Sequence, residues 1–152
     1  MRWTLLLVSA WFALGLTANA VESRIVKVLP LFLDQQGRES VSPSLYDRDA
    51  YQARLRRNPK QRSGMIFDIQ WKSSIPRAEE LKLRVELRGE AFGAPPRTLT
   101  LEKVLEERHR FSHWTGVPLA GDTYRQFGEV TAWRVTLWNR DRLLSEQKSF
   151  LW

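Results

Sequence analysis

The chain has 152 residues, 24 Lys and Arg against 17 Asp and Glu, and no cysteine. A single domain of this length can close a core without help, since a chain of ~150 residues buries roughly 68–70% of its unfolded surface. The missing thiols exclude disulfides, thiolate metal sites and cysteine nucleophiles.

The first twenty residues read as a secretory signal. Arg2 supplies a positive start, Trp3 to Leu16 is apolar and uncharged, and Ala18-Asn19-Ala20 is a small-x-small cleavage site. The expected mature chain is one domain, 21–152, beginning at Val21. The apolar run is shorter than the ~20 residues of a membrane span, and no second such run follows, so no span is expected after cleavage. Removing Arg2 leaves 23 minus 17, a charge of +6. A basic exported surface favours an anionic surface or an acidic glycan over nucleic acid, which an exported protein would not meet.

In chain order, Ile25 to Leu33 is the first expected strand. It is apolar on both faces, and because Pro30 cannot donate to a ladder it is expected as an edge strand or one that switches sheets. Asp47 to about Arg57 predicts a short helical insertion capped by Asp47, with Tyr51 and Leu55 on one face and Asn58-Pro59 as the stop. Arg54, Arg56, Arg57, Lys60 and Arg62 then form a basic cluster with no intervening acid, a candidate anion-binding surface.

Met65 to Trp71 alternates, with Met65, Phe67, Ile69 and Trp71 facing in. Leu81 to Arg88 alternates more strictly, Leu81, Leu83, Val85 and Leu87 against Lys82, Arg84, Glu86 and Arg88. One apolar and one charged face predict an antiparallel sheet with one solvated side. Arg97 to Glu102 resumes the rhythm after a loop holding Gly93 and Pro95-Pro96. The segment from Glu106 to Gly128 reads as turn-rich, with one strand expected between Arg110 and Val117. Glu129 to Asn139 alternates again, Thr131, Trp133, Val135 and Leu137 against Ala132, Arg134, Thr136 and Trp138. Asn139-Arg140-Asp141 predicts the turn of a hairpin whose second strand runs from Arg142 to Trp152. The charged outer faces argue against a membrane barrel, although Phe150-Leu151-Trp152 ends on an aromatic. The expected fold is all-β: an antiparallel immunoglobulin-like sandwich of about seven strands with a short helical insertion.

Two segments resemble the fibronectin type III group of immunoglobulin-like sandwiches. Ile66-Phe67-Asp68-Ile69-Gln70-Trp71, followed by Pro76, is similar to that group's second strand, which ends in a core tryptophan before a proline. Thr131-Ala132-Trp133-Arg134-Val135-Thr136-Leu137 is similar to its sixth strand, with Trp133 where a tyrosine usually stands. An indole offers only an N–H donor in place of that hydroxyl. The resemblance implies a binding or spacer module rather than an enzyme.

The residues themselves offer little catalytic chemistry. His109 and His113 are the only histidines, with Glu106 and Glu107 just before them. On a strand, imidazoles four residues apart are separated by about 13 Å, too far for one metal. Asp47 and Asp49 read as helix-end charges, and no Gly-x-Ser-x-Gly elbow is present around Ser112. No catalytic residue, metal or cofactor is expected. Trp71 and Trp133 are expected in the core. Trp138, on the outward face of its strand, and Trp114 are the aromatic candidates for a contact surface with another envelope or extracellular protein, or with a sugar ring.

Overall fold

The computed structural model describes residues 23–75, 80–91, 93–106 and 112–152. The expected signal segment, Pro76, Glu107 and His109 lie outside them. Strands β1 (Arg24–Asp34), β2 (Arg62–Lys72) and β5 (His113–Ala120) form one sheet in the order β1-β2-β5. Strands β3 (Leu81–Glu90), β4 (Arg97–Leu105), β6 (Glu129–Asn139) and β7 (Arg142–Lys148) form a second in the order β4-β3-β6-β7. All pairings are antiparallel. Helix α1 (Leu45–Arg57) joins β1 to β2, and α2 (Gly121–Phe127) joins β5 to β6.

The period-two patterns set the core. Phe67, Ile69 and Trp71 of β2 and Leu81, Leu83, Val85 and Leu87 of β3 are buried, as are Val117 and Leu119 of β5 and Val135 and Leu137 of β6. These inner faces belong to one hydrophobic cluster, and each fully buried aliphatic side chain contributes about 1.5–3 kcal/mol. The Trp71 indole donates to Thr115 Oγ1 (2.9 Å), so its one polar atom is met inside the sandwich. Trp133 packs against the same cluster but is only partly buried.

Several boundaries differ from the sequence expectation. Helix α1 begins at Leu45 rather than Asp47, because Ser44 is the cap: its hydroxyl accepts from the Asp47 N–H (3.4 Å). The last strand stops at Lys148 rather than running to Trp152. Ser149 still bonds both main-chain groups around Trp133, through Ser149 N to Trp133 O (2.9 Å) and Trp133 N to Ser149 Oγ (3.0 Å). A turn closed by Trp152 N to Ser149 O (3.2 Å) then redirects the chain. Helix α2 was not anticipated in a segment that reads as turns.

Strand β1 is an edge strand, one of the two places Pro30 allows, and its free edge is covered near both ends. At one end, Gln52 of α1 takes the place of a neighbouring strand residue. Its Oε1 accepts from Phe32 N (2.7 Å) and its Nε2 donates to Phe32 O (2.9 Å). At the other end, Ser145 Oγ accepts from Ile25 N (3.0 Å), and Gln147 Nε2 donates to Val26 O (3.2 Å). Such coverage prevents edge-to-edge pairing.

Two further polar anchors fix α1 to the sandwich. The first is Asp34, whose buried carboxylate accepts from Tyr51 Oη (2.6 Å), Gln36 N (2.8 Å), Arg38 N (2.9 Å) and Arg38 Nε (3.0 Å). Burial pushes its pKa up, but these donors outweigh burial and hold the carboxyl far below the usual carboxylate range. Because the folded-state pKa lies below the unfolded value of about 3.9, the anchor stabilises fully above that pH and is lost as pH falls through the folded pKa. Stability measured by urea titration is therefore expected to decline from about pH 5 downward. Asp34→Asn is expected to be less stable at neutral pH and to show a shallower acid decline. An unchanged acid slope in that variant would remove Asp34 as its source.

The second anchor is Arg62, at the start of β2. Its Nε donates to Leu55 O (2.7 Å), and one terminal nitrogen donates to Arg56 O. The other donates to both carboxylate oxygens of Glu129 (3.0 and 2.9 Å). The guanidinium carbon lies 3.9 Å from the centroid of the Phe32 ring. One side chain thus satisfies carbonyls at the end of α1 and ties them to β6.

Candidate functional site

The outer face of the β4-β3-β6-β7 sheet carries partly exposed aromatic side chains among charged ones. The register sets it out in rows. Val104, Lys82, Trp138 and Leu143 form one row across four strands, and Glu102, Arg84, Thr136 and Glu146 form the next. Thr100, Glu86, Arg134 and Lys148 form a third. At ~4.8 Å per strand, each row spans about 15 Å.

Trp138 is partly exposed on the outer face, as its place in the alternation predicts. Its indole N–H donates to Thr136 Oγ1 (2.8 Å), and the Arg84 guanidinium carbon lies 5.1 Å from its ring centroid. Arg84 is itself held by Glu102 (2.8 Å), which also accepts from Lys82 (3.1 Å). Arg84 and Lys82 keep the Glu102 carboxyl below the usual carboxylate range. Val104 and Leu143, at the two ends of the first row, are 53% and 46% exposed. The row is therefore an apolar stripe with one ammonium in it, and its central indole has a fixed orientation.

A second indole sits lower on this face. The turn after β7 places Trp152 over Arg88 (4.2 Å) and Arg134 (5.0 Å). Arg134 also makes a two-pronged pair with Glu86 (2.7 and 2.8 Å), which raises its pKa further. Each exposed cation–π contact contributes about 0.5–1 kcal/mol. Together they stiffen the face, leaving less side-chain entropy to lose on contact. Trp152 was not a candidate from sequence, because a straight strand to the end of the chain would not bring it onto these arginines.

The other expected site residues lie elsewhere. Trp114 pairs with Gln70 and is 44% exposed on the outer face of the three-stranded sheet, a different sheet from that of Trp138. It lines a cleft of ≈ 380 Å³ with Lys103, Glu106, His113 and Thr115. His113 stands edge-on to Trp71, ring centroids 6.1 Å apart. The basic cluster divides. Arg54, Arg56, Arg57 and Lys60 are exposed, with Arg54 stacked 4.5 Å from the Tyr51 centroid. Arg62 does not belong with them: its side chain is 3% exposed and its donors are committed to the end of α1 and to Glu129. Spacing alone suggested a run of equivalent charges, whereas the turn at Pro59–Gln61 directs Arg62 inward.

Among the described residues no group of three or more His, Asp or Glu side chains is placed to hold a metal ion. No described helix is long and apolar enough to cross a membrane. No protein-family model matches the chain, and neither the curated proteins nor the solved structures contain a match.

Proposed function

We propose that the chain is an exported, non-enzymatic β-sandwich module that binds another protein of the cell envelope through the outer face of its four-stranded sheet. The observation that carries this reading is the row Val104–Lys82–Trp138–Leu143, an exposed apolar stripe with an oriented tryptophan at its middle. Aromatic anchors of this kind, flanked by arginine, dominate protein interfaces. Export rests on the apolar run and the Ala18-Asn19-Ala20 site at the start of the sequence.

The immunoglobulin-like part of the reading is supported by the strand order. In a constant-type immunoglobulin sandwich the first, second, fourth and fifth strands form one sheet, and the third, sixth and seventh form the other. Here the fourth strand alone changes sides, joining the third. The fibronectin type III likeness of β2 and β6 is in keeping with that arrangement.

The test is a cross-linked capture of tagged Val21–Trp152 from a native envelope extract, read by mass spectrometry. A stoichiometric protein partner is expected, with affinity reduced about 30-fold by Trp138→Ala, equivalent to about 2 kcal/mol. Tyr46→Ala, on α1, is expected to leave it unchanged. Equal recovery with Trp138→Ala and Leu143→Ala would remove this face as the binding site. The natural chain in the same extract is expected to begin at Val21, and a chain beginning at Met1 would remove the export claim. Trp114 and its cleft favour a second reading, a carbohydrate-binding module. Retention on polysaccharide, abolished by Trp114→Ala, would move the assignment there.

A further inference from the structure

We propose that the free edge of β4 pairs with the same edge of a second copy of this chain, antiparallel and centred on Leu101, joining two four-stranded sheets into one continuous sheet. Such edge pairing is independent of what the outer face binds.

The sheet edges are not equivalent. The β1 edge is covered by Gln52, Ser145 and Gln147 and interrupted by Pro30. The β5 edge is interrupted by Pro118, and its Gly116 carbonyl already accepts from Lys103 Nζ (3.1 Å). Strand β7 runs beside β1, to which its Ser145 and Gln147 side chains are bonded. Strand β4 is different. It spans 9 residues without proline or bulge, and it pairs with β3 alone. Among the described residues no other group is hydrogen-bonded to its main chain. Its free N–H and C=O groups form a template for another strand.

The side chains of β4 complement themselves in one register. With Leu101 opposite Leu101, Thr100 faces Glu102, Thr98 faces Val104, Leu99 faces Lys103, and Arg97 faces Leu105. No like charges meet. Moving the centre to Glu102 sets two carboxylates opposite one another, and moving it to Thr100 sets Arg97 opposite Lys103. Like charges directly opposite are destabilising in a strand pair. The β-branched Thr98 and Thr100 suit the pairing. Two nine-residue strands make a smaller contact than the ~1,600 Å² of a standard interface, so the dimer is expected to be weak and concentration-dependent.

The absence of native cysteine makes engineered thiols unique. In this register Cα atoms 98 and 104 of two copies lie opposite, within disulfide reach, whereas two copies of 98 are about 20 Å apart. An equal mixture of Thr98→Cys and Val104→Cys chains is expected, under mild oxidation, to give roughly ten times the disulfide-linked dimer of either variant alone. Thr100→Glu, which opposes Glu102 twice by symmetry, is expected to weaken the dimer roughly tenfold in sedimentation equilibrium. Thr100→Lys is expected to retain it, and thermal melts check that both variants fold. A mixture that links no better than the single variants, or a Thr98→Cys chain that links with itself, would overturn the proposal. So would a chain that stays monomeric at every concentration while a strand-forming peptide protects the β4 amides from exchange.

Discussion

Arg62→Ala is expected to destabilise the fold by about 2–3 kcal/mol, the range for losing hydrogen bonds made by a charged donor, because the Glu129 carboxylate left behind is 58% exposed and rehydrates. Truncation strips a donor from Leu55 O and the donor to Arg56 O, and leaves the Glu129 carboxylate without its bidentate partner. It also removes the cation from the face of the Phe32 ring. Asn58 N still reaches Leu55 O (3.2 Å), so the helix end is weakened rather than stripped. Near the melting midpoint this corresponds to a fall of roughly 5–10 °C for a domain of this size. Arg62→Lys is expected to recover less than half of the loss, since one ammonium cannot reproduce the planar fork that serves three acceptors at once. By contrast Arg57→Ala, a few residues away and exposed, is expected to change stability by less than about 0.5 kcal/mol. Chemical denaturation of the three variants measures all of this. Equal effects of Arg62→Ala and Arg57→Ala would show that Arg62 is one more surface charge.

Gly128→Ala is the second large effect, at about 3 kcal/mol or more. Gly128 joins α2 to β6 at φ 90° and ψ −159°, a backbone region essentially reserved for glycine. A methyl group there would lie 2.5 Å from the Glu90 carbonyl oxygen and 2.8 Å from the Ala91 N and Cα, all main-chain atoms that cannot swing aside. The strain falls next to Glu129, so displacing it also loosens Arg62. Gly93→Ala separates the two causes. Gly93 has φ 74° but nothing within 4 Å of the added carbon, so only the left-handed penalty of about 1–2 kcal/mol applies. Calorimetric melts of the two variants should differ accordingly. Indistinguishable melting temperatures would mean that the contact with β3 relaxes without cost.

The surface proposed to bind a partner was half legible in the sequence. The outward place of Trp138 follows from the period of two in Glu129–Asn139, because alternation is a property of the strand itself. Its neighbours were not legible. Arg84 is placed beside it by the pairing of β3 with β6, and Trp152 reaches Arg88 and Arg134 only because the chain turns at Ser149. Helix α2 was hidden for a local reason. It lies between Gly121 and Gly128, both with positive φ, and such punctuation reads as turn. Asp122 in its first turn, Arg125 in its last and buried Phe127 were the available signals.

What the sequence determined by itself is the set of features that depend on near neighbours. Strict alternation placed Leu81, Leu83, Val85 and Leu87 in the core, Pro30 limited β1 to an edge or a switch between sheets, and Asn58-Pro59 ended α1. The tertiary structure decided what becomes of charge. Arg54, Arg56, Arg57, Lys60 and Arg62 are chemically alike within nine positions of chain, yet one is buried and four are solvated. The difference is made by acceptors that arrive from elsewhere: carbonyls at the end of α1 and a carboxylate 67 residues away. A cation is buried only where such partners repay its lost hydration, and partners that distant are set by topology, not by spacing.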